Sequence, residues 1–395
     1  MSEKRGFDVA VVGGGVIGLA CAWRLAQRGA EVAVLEKGYP GQGATRVAAG
    51  MLAPVGELTF GEPELLELTL AAARMYPDFV SELEAATGQS TGYEQLGALH
   101  VALDRDEAAQ LRRVHDLQRS LELEAEWLST RRCRELEPGL APSFHGGVLA
   151  SGEAAIDPRA LTAVLLTALR DEGVEVRTGT EVVDGVFEAE RLVGVRIASR
   201  RSDTLEVSDH RLVEEIRAET VLLAGGAWSG TMEWLPEHAR PAVRPVKGQV
   251  VELRSRDGEP PARHILASER VYLVPRGDGR LIVGATVEEM GFDTAVTAGG
   301  VHELLREAYR LLPDVAEMEV VDAVAGLRPG TPDNMPRVGP GAIDGLVLAT
   351  GHYRNGILLA PLAAETIAEL LNRRRSSFQE VSRRKDERRT TEVAR

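Results

Sequence analysis

Residues 7–12 (FDVAVV) are apolar on both faces of a strand. Val16, Leu19, Ala20 and Trp23 follow within 15–28 at the spacing of one helix face, and EVAVLE at 31–36 reads as a second strand. The chain therefore opens on a βαβ unit of about 30 residues. Residues 41–54 are small and Gly-rich, a loop running into a short helix. Amphipathic helices are predicted over 63–87 and 104–119, with a strand over 93–103 between them. Pro and Gly without a helical period make 138–157 a loop or a crossing between domains. Asp157-Pro158 supplies an N-cap and a first-turn proline for a helix reaching 171. Strands are expected over 174–177, 181–187 and 192–198, and TVLLA at 220–224 is a buried strand ended by Gly225-Gly226. Alternation over 241–290 predicts antiparallel sheet, with turns at Asp257-Gly258 and Gly277-Asp278-Gly279. A helix over 300–312 stopped by Pro313, strands over 318–325 and 345–350, and a helix from Ile357 to about 373 complete the pattern.

Parallel-type strands thus fall in three separate places, with antiparallel material between them. The expected fold is α/β (α+β overall): a discontinuous Rossmann-like dinucleotide domain carrying an inserted antiparallel-sheet domain. The first takes 1–85, 150–228 and 325–371, the second 86–149 and 229–324, and 372–395 forms a basic tail.

Charge changes the picture only at that tail. The chain of 395 residues carries 46 Lys and Arg against 60 Asp and Glu, a net charge of −14. Because the tail is basic, the body is more acidic still, which argues against nucleic acid as a partner. The two cysteines, Cys21 and Cys133, make no disulfide framework and fit a reducing, cytoplasmic setting. No spacing of Cys or His suggests a metal. Glycines interrupt the apolar run 9–23, and Glu3 and Asp8 flank it wrongly for a signal peptide. No uninterrupted apolar stretch is long enough to span a membrane.

The first chemical signal is Gly13-x-Gly15-x-x-Gly18, which follows a strand, opens a helix, and precedes Glu36 at the end of the second strand. Gly13 permits the tight turn, Gly15 lets backbone approach a pyrophosphate, and Gly18 lets helix and strand pack closely. Free N–H groups at the helix start attract phosphates. Glu36 can accept from ribose hydroxyls and would repel a 2′-phosphate, which disfavours NADP. Two later apolar strands with glycine ends, Val221–Gly226 and Leu346–Gly351, suit a long dinucleotide whose flavin end meets the C-terminal helix. In Gly351-His-Tyr-Arg-Asn-Gly-Ile357, N–H groups at that helix start would face a flavin pyrimidine.

Four stretches, VVGGGVIGLACAWRLAQRG, GATRVAAGMLAP, AGLRPGTPDNMPRVG and LATGHYRNGILLAP, resemble the glycine oxidase branch of the FAD-dependent D-amino-acid oxidase superfamily. The resemblance runs over residues 7–371 and implies non-covalent FAD, a small amino-acid substrate, O2 as oxidant and a homo-oligomer. It places FAD contacts, beyond the three glycines, on Val16, Ile17, Glu36, Lys37, Ala44, Thr45, Ala49, Gly50, Met51 and Val182. It continues them along His352, Tyr353, Arg354, Asn355, Gly356, Ile357 and Leu358. It assigns Arg328 to the substrate carboxylate, in a loop fixed by Pro329 and Gly330, with Tyr272 facing the substrate. Arg354 and Met51 stand near both flavin and substrate. The chain departs from the branch at Arg270 and Val287, where members carry His and Met, at the mouth of the site. It has no cysteine after Cys133, so the C-terminal cysteine linkage of sarcosine-oxidase relatives is impossible here. Lys247 could serve the oxygen reaction as a fixed charge, but reads more simply as a structural turn residue.

The resulting expectation is a cytoplasmic FAD enzyme that oxidises glycine, sarcosine or D-alanine with O2. The products are a 2-oxo acid, ammonia and H2O2, and the branch is tied to supplying the imine for thiazole synthesis in thiamine biosynthesis. The alternative is a D-amino-acid dehydrogenase passing electrons to a quinone or carrier, and a flavin-binding scaffold is a more distant one.

Overall fold

The computed structural model describes residues 6–199 and 212–373. The expected basic tail lies, from 374 onward, outside the described residues.

Two sheets organise the chain. Phe7–Val12 is the centre of the first, pairing parallel with Val32–Leu35 on one side and with the second half of Leu212–Leu223 on the other. Leu346–Thr350 and Glu175–Arg177 extend it in parallel, and Arg337–Pro340 closes one edge antiparallel. Val32–Leu35 is buried throughout, as is Phe7–Val12 in its last four residues. The unbroken apolar runs reflect this two-sided burial. One face packs on the helices Val16–Gln27, Pro158–Asp171 and 356–373. The other packs on the hairpin Thr180–Glu188 and Arg191–Ser199 and on Trp234 and Leu235.

The second sheet runs Glu319–Gly330, Arg244–Arg254, Arg280–Gly284, Tyr272–Pro275, Ile265–Ala267, Ala98–Val101, Gly147–Ala150, Glu126–Leu128. All neighbours pair antiparallel except Ile265–Ala267 with Ala98–Val101, which are parallel. Helix Ala298–Leu311 packs its apolar face on this sheet.

Most expected elements form where the pattern put them. Asp157 caps its helix by accepting from the N–H groups of Arg159 and Ala160. Several differ. The strand over 93–103 shrinks to Ala98–Val101, and the loop 138–157 contains Gly147–Ala150 and Ala154–Ala155. Their pairing partners are remote, so no local period announces them. Glu126–Leu128, the helix Thr130–Leu136 and Arg337–Pro340 were not anticipated either. The strand expected over 220–224 begins at Leu212, because its first half pairs antiparallel with Arg191–Ser199. The strand over 318–325 continues to Gly330 against Arg244–Arg254. Arg328 is therefore a strand residue rather than a loop residue, and a division at 325 cuts through a strand of the second sheet.

Candidate active site

A cavity of about 1350 Å³ lies between the two sheets. Its first end is built from backbone. Gly13 has φ +111°, and a Cβ there would lie 2.9 Å from the Ala224 carbonyl carbon. Gly15 is the N-cap of Val16–Gln27, with no side-chain cap and no acid in the first turn. Thr45 Oγ1 accepts from the Val16 N–H at 3.1 Å, tying the short helix Ala44–Val47 to this helix start. Glu36 accepts from the Gly14 N–H at 2.7 Å and from the Gly38 N–H at 2.8 Å. Lys37 pairs with Glu181 at 2.7 Å.

The middle of the cavity is the turn Ala49–Gly50 leading into Met51–Leu52. Gly50 has φ +74°, and a Cβ there would lie 3.0 Å from Arg276 Nη2 and from the Pro158 ring. The buried guanidinium of Arg276 donates to the carbonyls of Ala49 and Ile156, the latter at 2.8 Å, and so pins this turn from the second sheet. Sequence reasoning missed Arg276; it follows a strand as an ordinary surface arginine would, and only the fold buries it. Across the cavity, His352 is buried with Nε2 lacking any partner. Burial lowers its imidazole pKa to about 4, leaving the ring neutral.

The far end is built from side chains of the second sheet. Tyr272 stands opposite Gly284, and Arg328 is the diagonal neighbour of Gly248. A Cβ on Gly284 would meet the Tyr272 ring at 2.5 Å, and one on Gly248 would lie 2.5 Å from Arg328 Cζ. Both glycines are floors beneath the larger side chains. Arg328 Nη1 donates to the carbonyls of Thr286 (3.0 Å) and Lys247 (3.3 Å). Neither is a carboxylate, so the guanidinium keeps its charge and part of its fork for a ligand. Burial raises the Tyr272 phenol above its usual range; the nearby Arg328 and Arg354 charges pull it down, and the Glu57 charge adds to the rise.

Of the expected residues, all but three line this cavity: Gly18, Asn355 and Leu358 stand behind it. Gly18 is held against Gly13 and Ala224 in helix packing. Leu358 belongs to the core, and Asn355 is turned into the backbone of the loop, its N–H donating to His352 at 2.9 Å. Arg270 and Val287 both line the cavity and are exposed at its mouth. Trp228, stacked on Phe292 at 5.9 Å, is a further lining residue that the sequence did not single out. Lys247 is not in a turn: it lies in Arg244–Arg254, fully buried, with Nζ 2.9 Å from Asp293. Cys21 and Cys133 are both buried. Among the described residues no group of side chains could hold a metal, and no helix is long and apolar enough to cross a membrane.

The helix start at Gly15, whose own N–H is not taken up by a neighbour, the glycine cradles at 13 and 50 and the orphaned His352 Nε2 fit FAD, with its pyrophosphate over Gly15 and its ring against Ala49–Met51. This fold and site define a dinucleotide-dependent oxidoreductase with a substrate wall of antiparallel sheet. Residues 8–370 match the model of the DAO family, FAD dependent oxidoreductase, and the chain belongs to that family. It is 36% identical over 371 residues to the bifunctional protein ThiO/ThiG of Trichormus variabilis, covering 93% of this chain and 53% of that protein. The chain thus spans about half the length of such bifunctional relatives. It is 35% identical over 379 residues to the glycine oxidase of Geobacillus kaustophilus, covering 94% of each. The crystal structure of glycine oxidase from Geobacillus kaustophilus superposes with a TM-score of 0.82 at 34% identity, over 93% of this chain and 95% of that one.

Proposed function

We propose that the enzyme oxidises glycine and similarly small amines, sarcosine and D-alanine among them, using O2 and releasing a 2-oxo acid, H2O2 and ammonia, or methylamine in the case of sarcosine. The observation that carries this reading is the Arg328 guanidinium, free of a carboxylate partner, set beside Tyr272 in the cavity that begins at Gly13–Val16. FAD, when bound, supplies the two-electron acceptor for such an oxidation. Arg328 takes the substrate carboxylate bidentately, and Tyr272 fixes the guanidinium plane. Met51 and Tyr272 crowd the wall, and this favours small side chains on the substrate. No strong base is required if the amine enters unprotonated, so the protein's contribution is orientation and exclusion of water. The oxidised product is an imine, the species that thiazole synthesis consumes. In cells the enzyme works as a cytoplasmic homo-oligomer.

One anaerobic screen tests this reading. Glycine, sarcosine and D-alanine should bleach the flavin, and air should restore its colour quickly. Preferential bleaching by D-Phe or D-Asp would overturn the substrate assignment. Slow recolouring in air, with fast recolouring by a quinone, would favour the dehydrogenase.

A further inference from the structure

Three buried polar atoms without a hydrogen-bond partner surround one turn of the cavity wall: Glu153 Oε2, His100 Nε2 and Gln118 Oε1. The turn is Val55–Gly56, the start of the segment whose residues Gly56, Glu57, Leu58, Thr59 and Phe60 line the cavity. Glu153 Oε1 accepts from the N–H groups of Val55, at 3.0 Å, and of Gly56. Gln118 Nε2 donates to the Val55 carbonyl at 2.9 Å. A Cβ built on Gly56 would lie 2.9 Å from both Glu153 Oε2 and His100 Cε1, so acid and imidazole face the same point. Buried polar atoms are normally paired, and orphans gathered around one turn call for a shared solution.

We propose that Glu153, acting with His100 and Gln118, is a proton-holding positioning residue that fixes the Val55–Phe60 wall against the substrate. The proposal rests on the cavity being an amino-acid site. Burial pushes the Glu153 carboxyl up to about 8, the Glu57 charge adding to it, and pushes the His100 imidazole down to about 4. Near neutral pH the proton therefore sits on Glu153. Oε1 then accepts both backbone N–H groups, while the Oε2 hydroxyl donates to a water that bridges the gap to His100 Nε2. Two titratable groups face Glu153: His100 from the strand Ala98–Val101 and Glu57 from the segment it holds. The Glu57 carboxylate also acts on Tyr272, so the wall links this anchor to the substrate face.

Glu153→Gln copies the protonated carboxyl, with an amide oxygen to accept and an amide NH2 to donate, whereas Glu153→Ala deletes the anchor. In the FAD-loaded enzyme at neutral pH, Glu153→Ala should raise KM for glycine about tenfold while kcat and FAD affinity stay within about threefold. Glu153→Gln should restore the wild-type KM. The wild-type KM should rise as pH passes about 8, where the buried carboxyl ionises, and that rise should vanish in Glu153→Gln. Stability carries a matching signature. Between 4.5 and about 8 the unfolded chain loses this proton and the folded chain keeps it, so stability falls as pH rises, a slope absent from Glu153→Gln. A readout free of turnover is amide hydrogen exchange of residues 55–58, whose N–H groups are bonded to Glu153 or within the turn: slow in wild type and Glu153→Gln, fast in Glu153→Ala. Equal exchange in all three proteins, or one pH profile of KM shared by wild type and Glu153→Gln, overturns the proposal. If Glu153→Ala does not fold, the Glu153→Gln profile decides. Should glycine prove no substrate, the exchange pattern still decides the anchor, and only the substrate reading fails.

Discussion

The two ends of the cavity solve the same problem, close approach to a ligand, by opposite means. At the Gly13–Val16 end the contacting groups are backbone, and the glycines remove side chains so that a ligand can come close to the helix start at Gly15. At the Arg328–Tyr272 end the contacting groups are side chains, and Gly248 and Gly284 remove their own so that the larger ones can lie flat. The first end comes from one contiguous stretch, the βαβ unit. The second is assembled from strands distant in sequence and adjacent only in the sheet. A backbone site should therefore depend on side chains only where they hold the backbone in place, as Glu36 does, whereas a side-chain site depends on the identity of the groups that meet the ligand. Damage at one end should leave the other working.

The largest expected effect is at the substrate end. Arg328→Ala should cost about 2–4 kcal/mol of substrate binding, roughly 30- to 1000-fold in kcat/KM, because a charge-assisted fork in a desolvated wall is lost. Arg328→Lys should recover only part of it, since an ammonium cannot form the fork. The flavin spectrum and FAD affinity should be unchanged. A loss under about threefold would pass the carboxylate to Arg354 and dissolve the contrast between the ends. Next comes Gly50→Ala, which forces a Cβ into the Ile156 carbonyl at a positive φ. It should cost about 1–3 kcal/mol of stability, read as a lowered Tm. An unchanged Tm would show that the turn yields easily and that the Arg276 clamp is dispensable. Glu36→Arg should then weaken FAD binding about 10- to 100-fold, by unpinning Gly14 and Gly38 and removing the ribose acceptor. KM for glycine in the FAD-saturated enzyme should hold. Unaltered FAD affinity would mean that the adenosine lies elsewhere.

The same contrast explains what the sequence could tell. A backbone site leaves its mark in glycine spacing next to an apolar strand, so Gly13, Gly15 and Glu36 were legible from local pattern, as were the strands and helix around them. Arg328 and Tyr272 carry no such mark. In an alternating strand each looks like any exposed arginine or cross-strand tyrosine, and only the resemblance of GLRPGT and VYLVPR to known relatives singled them out. Arg276 and the Glu153–His100 pair lay beyond both kinds of evidence, because their meaning is burial, and burial is fixed by pairings across the whole chain. Short strands such as Glu126–Leu128 and Gly147–Ala150 were missed for the same reason: they owe their form to neighbours in the sheet, not to their own propensity.

The smallest effect tests how finely the side-chain end is built. In Tyr272→Phe the ring remains on Gly284, so packing is kept and only the hydroxyl is lost. Arg328 then loses a polar neighbour but retains the carbonyls of Thr286 and Lys247. A hydroxyl that pairs with the substrate or steadies its anchor is worth about 0.5–1.5 kcal/mol, or roughly 2- to 12-fold in kcat/KM. The loss should fall mainly on KM, because the hydroxyl steadies the group that holds the substrate rather than the reacting carbon. FAD affinity should not move. A loss as large as that of Arg328→Ala would mean that the hydroxyl itself meets the reacting amine, making Tyr272 a catalytic residue. No loss at all would reduce Tyr272 to a packing wall, leaving Arg328 to be oriented by its two carbonyl partners and by the flat floor at Gly248.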